Sequence, residues 1–409
     1  MSTPTTRIAA ADTVRRDLTR PFTEAIAEAE KLICSADFIT GDQDLAEGLD
    51  YLAGSISAIL HLVRTRNLTH PVLVSSTGPY TKMGLDNPDT LYYHADIEPS
   101  GTYRVRGRRG RTADLSFQVL RGDYTPDEVP GGDDAFDDRR LSIDAEGNFE
   151  ITFLPAGSSA SASDSDSDSF VLPAGATTLS VREVYSQWSA RKGTISIERI
   201  DTAGTAPAEP ELDRVVRRYR TAAKMLTARI NTWFNFPKWF YLDEPVNTFT
   251  PPRLTPGGLA TQYSSVGHYR LADDEAMIIT VPKSQAPYQG FQLGSMWYIS
   301  LDYVNHQTSL NSTQAQVDPD GMIRMVLSHR NPGVTNWIET TGRGQGILQF
   351  RWQRTDEPIT PDLGPSAQVV AAGDVEAHLP YLDHNRIDER AWSKRIALRQ
   401  RQFAERMLA

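Results

Sequence analysis

Residues 144–155 read "DAEGNFEITFLP". Asp144, Gly147 and Asn148 make the first five residues a turn, because these side chains tolerate or cap tight backbone conformations. The alternation that follows puts Phe149, Ile151 and Phe153 on one face and Glu150 and Thr152 on the other. A period of two is that of a half-buried strand. The same pattern recurs nearby in "TYRVRG" (102–107), "ADLSFQVLRG" (113–122), "TTLSVREVYS" (177–186) and "GTISIERID" (193–201). Strands this short and this closely spaced favour an antiparallel sandwich or barrel over alternating strands and helices.

A second strand-rich stretch carries "YSSVGHYRL" (263–271), "EAMIITVP" (275–282), "GFQLGSMWYISLDYV" (290–304), "AQVDPDGMIRMVLSH" (315–329) and "GQGILQFRWQR" (344–354). The turn "DPDG" (318–321) interrupts it. The expected organisation is a helical segment over 1–70, a β-rich domain over 71–201, a linker and helix over 202–250, a second β-rich domain over 251–357, and a connector with a final helix over 358–409. In the first segment, "TEAIAEAEKLI" and "GLDYLAGSISAILHLVRT" space their apolar residues three and four apart. Pro237 is expected to end the central helix. The final helix carries Trp392, Ile396 and Phe403 near one stripe. "GSSASASDSDSDS" (157–169) reads as a polar surface loop; Asp164, Asp166 and Asp168 mimic a calcium loop but lack its Gly and Glu. The Pro-rich stretch over 242–260 is long enough to serve as a lid.

The 409 residues are 39% hydrophobic and 23% charged, as in ordinary globular chains. The net charge of −10 argues against binding nucleic acid or an anionic membrane surface. Two basic runs, "RVRGRRGR" (104–111) and "RVVRRYR" (214–220), stand out as local anion sites or solvated faces. The single cysteine, Cys34, permits no internal disulfide and reads as a small core residue. No apolar run reaches the roughly 18–20 residues of a membrane span, and no secretory segment opens the chain. A cytoplasmic protein is expected.

No phosphate-binding glycine fingerprint, nucleophile elbow or H-E-x-x-H pattern occurs, so no nucleotide cofactor is expected. More distinctive are "GLDNPDTLYYHADI" (84–97) and the run from "YQGFQLGSMWYISLDYVNHQTSLN" through "DPDGMIRMVLSHRNPGVTNWIETTGRGQGILQFRWQ" (288–353). In these motifs the chain resembles bacterial proteins of the domain of unknown function 1214 family, often found with domain of unknown function 1254. The resemblance covers about 71–201 and 250–355. It implies an α+β, mainly β architecture of jelly-roll-like antiparallel sandwiches with N-terminal, central and C-terminal helices, and it implies no reaction.

Candidate chemistry therefore comes from the residues. Read as one strand, 297–306 presents Trp297, Ile299, Leu301 and Tyr303 on one face and Tyr298, Ser300, Asp302, Val304 and His306 on the other. Residues two apart on a strand lie about 6.6–7 Å apart, too far for a self-contained Ser300–Asp302–His306 triad. Partners from other elements are needed. The catalytic candidates are His306 and His329 as acid or base, Asp302 as orienting carboxylate and Tyr298 as an oxygen-holding group; Asp86, Asp89 and Glu339 are further carboxylate partners. Substrate-binding candidates are Trp297, Arg330, Asn305, Tyr288, Trp239 and Trp337, with Trp233, Phe240 and Tyr241 as an aromatic wall. A divalent metal or haem would be held through His94, His268, His306 and His329. Three functions follow: an enzyme using acid–base chemistry on a small apolar or aromatic molecule, a metal- or haem-dependent oxygenase, or a non-catalytic small-molecule-binding protein. A homodimer through edge strands or the last helix is compatible with all three.

Overall fold

The computed structural model describes residues 17–122, 131–158, 168–209, 211–254 and 262–407. Two helices come first, α1 (Arg20–Cys34) and α2 (Asp42–Thr65). Eight strands follow: β1 (Thr90–Asp96), β2 (Tyr103–Arg108), β3 (Asp114–Arg121), β4 (Gly131–Asp137), β5 (Asn148–Leu154), β6 (Ser169–Val171), β7 (Ala176–Val184) and β8 (Thr194–Arg199). Helix α3 (Leu212–Phe240) leads to β9 (Arg253–Leu254), β10 (Tyr263–Arg270), β11 (Glu275–Pro282), β12 (Tyr288–Gly294), β13 (Ser309–Asn311), β14 (Met322–Ser328), β15 (Trp337–Glu339), β16 (Gln345–Gln353) and β17 (Ser366–Ala371). The chain ends with α4 (Leu382–Asn385) and α5 (Glu389–Met407).

The strands form two sandwiches. In the first, a sheet of order β1-β7-β3-β4 faces one of order β6-β5-β2-β8. The inward alternates of both, among them Val105, Phe117, Ile151, Phe153, Leu179 and Val181, make one core. In the second, β13-β12-β16-β10-β9 faces β15-β14-β11-β17, with Met277, Ile279, Phe291, Met325, Leu348 and Phe350 between them. Pairing is antiparallel apart from β5–β6 and β14–β15. The sequence-derived strands map onto these elements, so a mainly β sandwich fold is what the chain adopts. Strand β17 lies in the expected connector and pairs with β11 as an edge strand.

Helices α1, α2 and α3 pack on one another through Phe22, Ile33, Leu52, Ile59, Leu226 and Ile230, and this layer also takes in Trp297 and Ile299. Gly48 lets it approach, since a Cβ there would stand 2.5 Å from the Trp297 ring. Helix α5 packs on the other side, with Trp392 in a cluster with Trp337 and Ile278.

Several expectations are corrected. Residues 295–308 do not continue the strand. The chain leaves β12 at Gly294, loops, and returns as β13. The run is hydrophobic enough for a strand, but over 297–301 both presumed faces are buried, so alternation carries no information there: Trp297, Tyr298, Ile299, Ser300 and Leu301 are all buried, as is Tyr303, while Asp302 and Asn305 are exposed. Helix α3 runs through Pro237 to Phe240. Its last turn survives because Tyr241 N–H donates to the Pro237 carbonyl at 2.9 Å. Cys34 is exposed, one position off the buried stripe marked by Ile33. The described part of the Pro-rich stretch lies along β10: Asn247 N–H donates to His268 O at 2.9 Å and Thr250 N–H to Val266 O at 2.8 Å. The rest of it, 255–260, lies outside the described residues, as do 159–167 of the Ser/Asp loop with Asp164 and Asp166. Asp168 is buried and accepts from Ser142 N–H at 2.7 Å.

Candidate functional site

The sheet containing β12 and β16 is covered on both faces. Its inner face is apolar, while its outer face carries Gln292, Gln349 and Arg351 beneath the loop of residues 84–89 and the end of α3. Such residues lose water on folding, so each needs a protein partner. The loop of residues 84–89 supplies the Asp86 carbonyl to Gln292 Nε2 at 2.9 Å and the Leu85 carbonyl to Arg351, while Tyr241 and Ser264 engage Gln349.

Asp89 sits at the centre. One carboxylate oxygen accepts from Trp188 Nε1 at 2.7 Å. The other accepts from Tyr288 Oη and from Asn311 Nδ2, both at 2.9 Å. Asn87 caps its own turn by accepting from Asp89 N–H at 3.0 Å, the Asx geometry expected before and after proline. Asp86 accepts from Ser300 Oγ at 2.9 Å and Ser300 N–H at 3.2 Å. Burial pushes the Asp86 carboxyl above its ordinary value, opposed by the Lys82 charge and the Ser300 hydrogen bonds. Lys82 in turn donates to the Ser300 and Leu301 carbonyls at 2.7 and 3.0 Å. Arg351 donates to Leu85 O at 2.6 Å and to Gln292 Oε1. Leu85 and Tyr298 hold left-handed backbone, φ 52° and 57°, and are joined by a 2.7 Å backbone hydrogen bond. Non-glycine residues in this region cost on the order of 1 kcal/mol or more, so the surrounding contacts impose that conformation.

The sequence-derived candidates divide among different places. Tyr288 belongs to this buried cluster. Tyr298 is beside it, 2.8 Å from Tyr241 Oη, which donates to Gln349 at 2.5 Å; burial raises both phenols. The aromatic wall closes on itself, with Tyr298 stacked against Trp233 and Phe236. Trp239 is exposed, and Phe240 is partly exposed while packing on Phe236 at 4.6 Å between ring centroids. Trp297 is core of the helical layer, with Nε1 donating to Asp44 O at 2.9 Å. Trp337 packs on Trp392 at 4.9 Å between ring centroids.

His306 and His329 are held by consecutive residues. His306 Nδ1 lies 2.9 Å from Glu339 Oε2, and His329 Nδ1 lies 2.8 Å from Thr340 Oγ1. Glu339, not Asp302, orients His306. Its second oxygen is fixed by Gln307 N–H at 3.0 Å. Asp302 instead caps the turn by accepting from Val304 N–H, Asn305 N–H and Asn305 Nδ2. Burial acts against ionisation there, yet these donors hold the carboxylate below its ordinary value. Asn305 also accepts from Gln400 at 3.0 Å, and Arg330 is exposed.

His94 is on β1 near Ser76, and His268 is on β10 with Nε2 2.8 Å from Glu244 O. The four sheet histidines thus go to separate surroundings. Among the described residues no group of three or more His, Cys, Asp or Glu side chains is arranged to hold a metal ion.

Sequence reasoning missed Gln292, Gln349, Asn311 and Trp188. A signal was present in "GILQFRWQ", where Gln349, Arg351 and Gln353 alternate with apolar residues in a strand that is buried on both sides.

Two concavities open to solvent elsewhere. One, of about 770 Å³, lies on the outer side of β2, β5 and β8 and is lined by Arg106, Arg108, Ser142, Asp144, Asn148 and Glu150 among others. The other, of about 480 Å³, lies between the end of α2 and the start of α3.

The fold and this buried junction define a protein of two β-sandwiches clamped by helices. No family model matches the chain, and no curated protein matches it. Its architecture is similar to the crystal structure of an uncharacterised protein from Burkholderia cenocepacia, with a TM-score of 0.77 and 24% identity over 89% of this chain and 99% of that one. A protein from Vibrio parahaemolyticus aligns at a TM-score of 0.43 and 11% identity, over 79% and 98% of the two chains, which is too distant to carry an argument. The Burkholderia cenocepacia likeness speaks to the fold alone. Among the described residues no helix is long and apolar enough to cross a membrane.

Proposed function

We propose that the protein is a non-catalytic small-molecule-binding protein whose ligand occupies the groove across β2, β5 and β8. One observation carries this reading. The acid–base groups at the junction are buried and already engaged, Asp89 with Tyr288, Asp86 with Ser300 and Tyr298 with Tyr241, whereas the 770 Å³ groove is open and lined by donors and acceptors. Its charges are already balanced: Arg106 pairs with Glu150 at 2.6 Å, and Arg104 reaches Glu150 at 3.1 Å and Glu198 at 3.3 Å. Such a lining suits a neutral, hydroxyl- or amide-rich molecule, with Phe149 and Ile143 offering an apolar contact. The test is ligand-observed NMR with a panel of neutral polar and aromatic compounds against wild type and an Arg108→Ala/Asn148→Ala double variant. Binding that the double variant loses supports the groove; binding that it retains removes the groove from the proposal.

A second reading, an acid–base enzyme, is favoured by the His306–Glu339 pair, in which a carboxylate fixes one ring nitrogen and the half-exposed imidazole leaves the other available. Turnover of any panel compound that His306→Ala abolishes would replace the binding reading with this one. The jelly-roll topology of each sandwich and membership of the domain of unknown function 1214 family also remain proposals, supported by the facing sheets and by the two motifs quoted above.

A further inference from the structure

The two basic runs meet different fates. In 104–111 three of the five arginines are ion-paired, Arg104 and Arg106 with Glu150 and Glu198 and Arg109 with Asp138, and Arg108 donates to the Glu146 carbonyl at 2.9 Å. The run 214–220 differs. Arg214, Arg217 and Arg218 make no hydrogen bond or ion pair with any described residue.

Their placement is ordered. Positions 214, 217, 218 and 221 are i, i+3, i+4 and i+7 on α3, which is one face of a helix. All four line the 480 Å³ cleft, opposite Val63, Arg66, Asn67, Leu68 and Thr69. Arg66 brings a fourth guanidinium, and its one ion pair is a 3.5 Å contact with Asp96. The nearest acidic residues of the helix, Glu211 and Asp213, are exposed and absent from the lining. So four arginines and no carboxylate line one concave site, with Asp96 meeting Arg66 from outside the lining, on a chain whose net charge is −10.

Like charges three and four apart on a helix destabilise it. Arg214 stands in that relation to both Arg217 and Arg218. An anion in the cleft would reverse the sign of these interactions, and guanidinium forks are shaped to take carboxylate or phosphate oxygens two at a time. The first turns of α3 also add the positive end of the helix dipole. Volume and lining limit the occupant. The cleft has the size of a small-molecule site, and Val63, Leu68 and Ala208 give it an apolar side.

We infer that the cleft between α2 and α3 binds a small molecule bearing a multiply charged anionic group, a phosphate or a cluster of carboxylates, attached to a compact apolar portion. This site is separate from the groove on β2, β5 and β8 and takes ligands of the opposite electrostatic kind.

The experiment is calorimetric titration and thermal-shift measurement on the full chain, freed of metals by chelation. Pyrophosphate serves as the phosphate probe and citrate as the carboxylate probe. Expected is saturable binding of at least one probe that weakens as salt is raised. The triple variant Arg214→Ala/Arg217→Ala/Arg218→Ala should lose it by about tenfold or more, while Arg106→Ala should keep it. The ratio of the two affinities assigns the anion class. Arg217 is exposed, so Arg217→Ala alone serves as the variant that folds: it should weaken binding and leave the ligand-free protein as stable as wild type or slightly more so. Failure of both probes to bind at millimolar concentration, or equal binding by wild type and the triple variant, overturns the inference. Neither result bears on the neutral-ligand groove.

Discussion

Asp89, at the start of β1, and Trp188, in the turn after β7, are joined by a 2.7 Å hydrogen bond from the indole to the carboxylate. Both are buried. The same carboxylate takes donors from Tyr288 and Asn311 of the second sandwich, so one side chain of the first sandwich ties the two together. Trp188 is itself flanked by the Arg399 and Arg406 guanidiniums of α5, at 4.5 and 4.7 Å from its ring. First sandwich, second sandwich and final helix therefore meet on two residues.

Asp89→Ala should be among the most destabilising single changes in the chain. It removes the acceptor of the Trp188 indole and of one Asn311 N–H, while Tyr288 Oη keeps Asn87 Oδ1 at 3.1 Å and Asn311 keeps the Ser186 carbonyl at 3.0 Å; each unsatisfied buried donor costs roughly 1–3 kcal/mol. A loss of about 3–5 kcal/mol is expected in urea unfolding. Asp89→Asn should recover part of it. If Asp89→Ala unfolds at the wild-type urea midpoint, the junction is not what holds the sandwiches together.

Asp114 should make the protein less stable as pH rises. Burial pushes its carboxyl up to about 7, and the charges of Asp137 and Asp138 add to the effect. Both of its oxygens lack a hydrogen-bond partner. A carboxyl whose folded value lies above its unfolded one, about 3.9, favours the fold fully below the unfolded value. That contribution drains away as pH climbs through the folded value near 7. Asp114→Asn should raise the thermal midpoint at pH 8 and do little at pH 4, with a gain on the order of 1–4 kcal/mol at the higher pH. Equal effects at both values would contradict the assignment.

Much of the fold was legible because its strands are half-buried. Phe149, Ile151 and Phe153 alternate with polar neighbours, and the alternation survives in β5 as a burial pattern. The loop over 295–308 was misread for the opposite reason: when Tyr298, Ser300 and Tyr303 are all buried, a period of two in polarity no longer reports on the backbone. The site was legible only in part. Glu339 and His306 are close because Glu339 N–H donates to Gln307 O at 3.0 Å, tying β15 to the loop before β13, a long-range contact that no local pattern encodes. Tyr288 was picked out by its aromatic character, yet its partners Asn87 and Asp89 come from about 200 residues earlier in the chain. Asn and Asp beside a proline favour a turn, but nothing in the local sequence signals that this turn is buried.

His94 should impose an acid limit on stability. Burial lowers its imidazole to about 4, helped by the charges of Arg182 and Arg229. The unfolded value is near 6.5, so the unfolded chain takes up the proton first. Stability is complete above that value and falls as pH drops from about 6.5 towards 4. His94→Asn should flatten this limb while leaving in place the opposing loss of stability that Asp114 imposes as pH rises from about 4 to 7. Urea midpoints measured across pH 4 to 7 would show it, and an unchanged acid slope in the variant would count against the buried neutral imidazole.

Arg399 tests whether α5 is a latch or a passive cover. Its guanidinium donates to the Tyr303 carbonyl and to Ser309 Oγ, the latter at 2.6 Å, from a buried position on the helix. Burial pulls its ionisation down to about 10, so at neutral pH it remains a charged donor. Lysine cannot reach both acceptors with one compact ammonium group or lie flat on Trp188. Arg399→Lys should therefore lose most of what Arg399→Ala loses, about 2–4 kcal/mol by comparison with other buried hydrogen-bonded charges. Both variants should speed amide hydrogen exchange in α5 and around β13, well ahead of the strands of the first sandwich. If lysine restores wild-type exchange, the charge alone is sufficient and the forked geometry is not what fastens the helix.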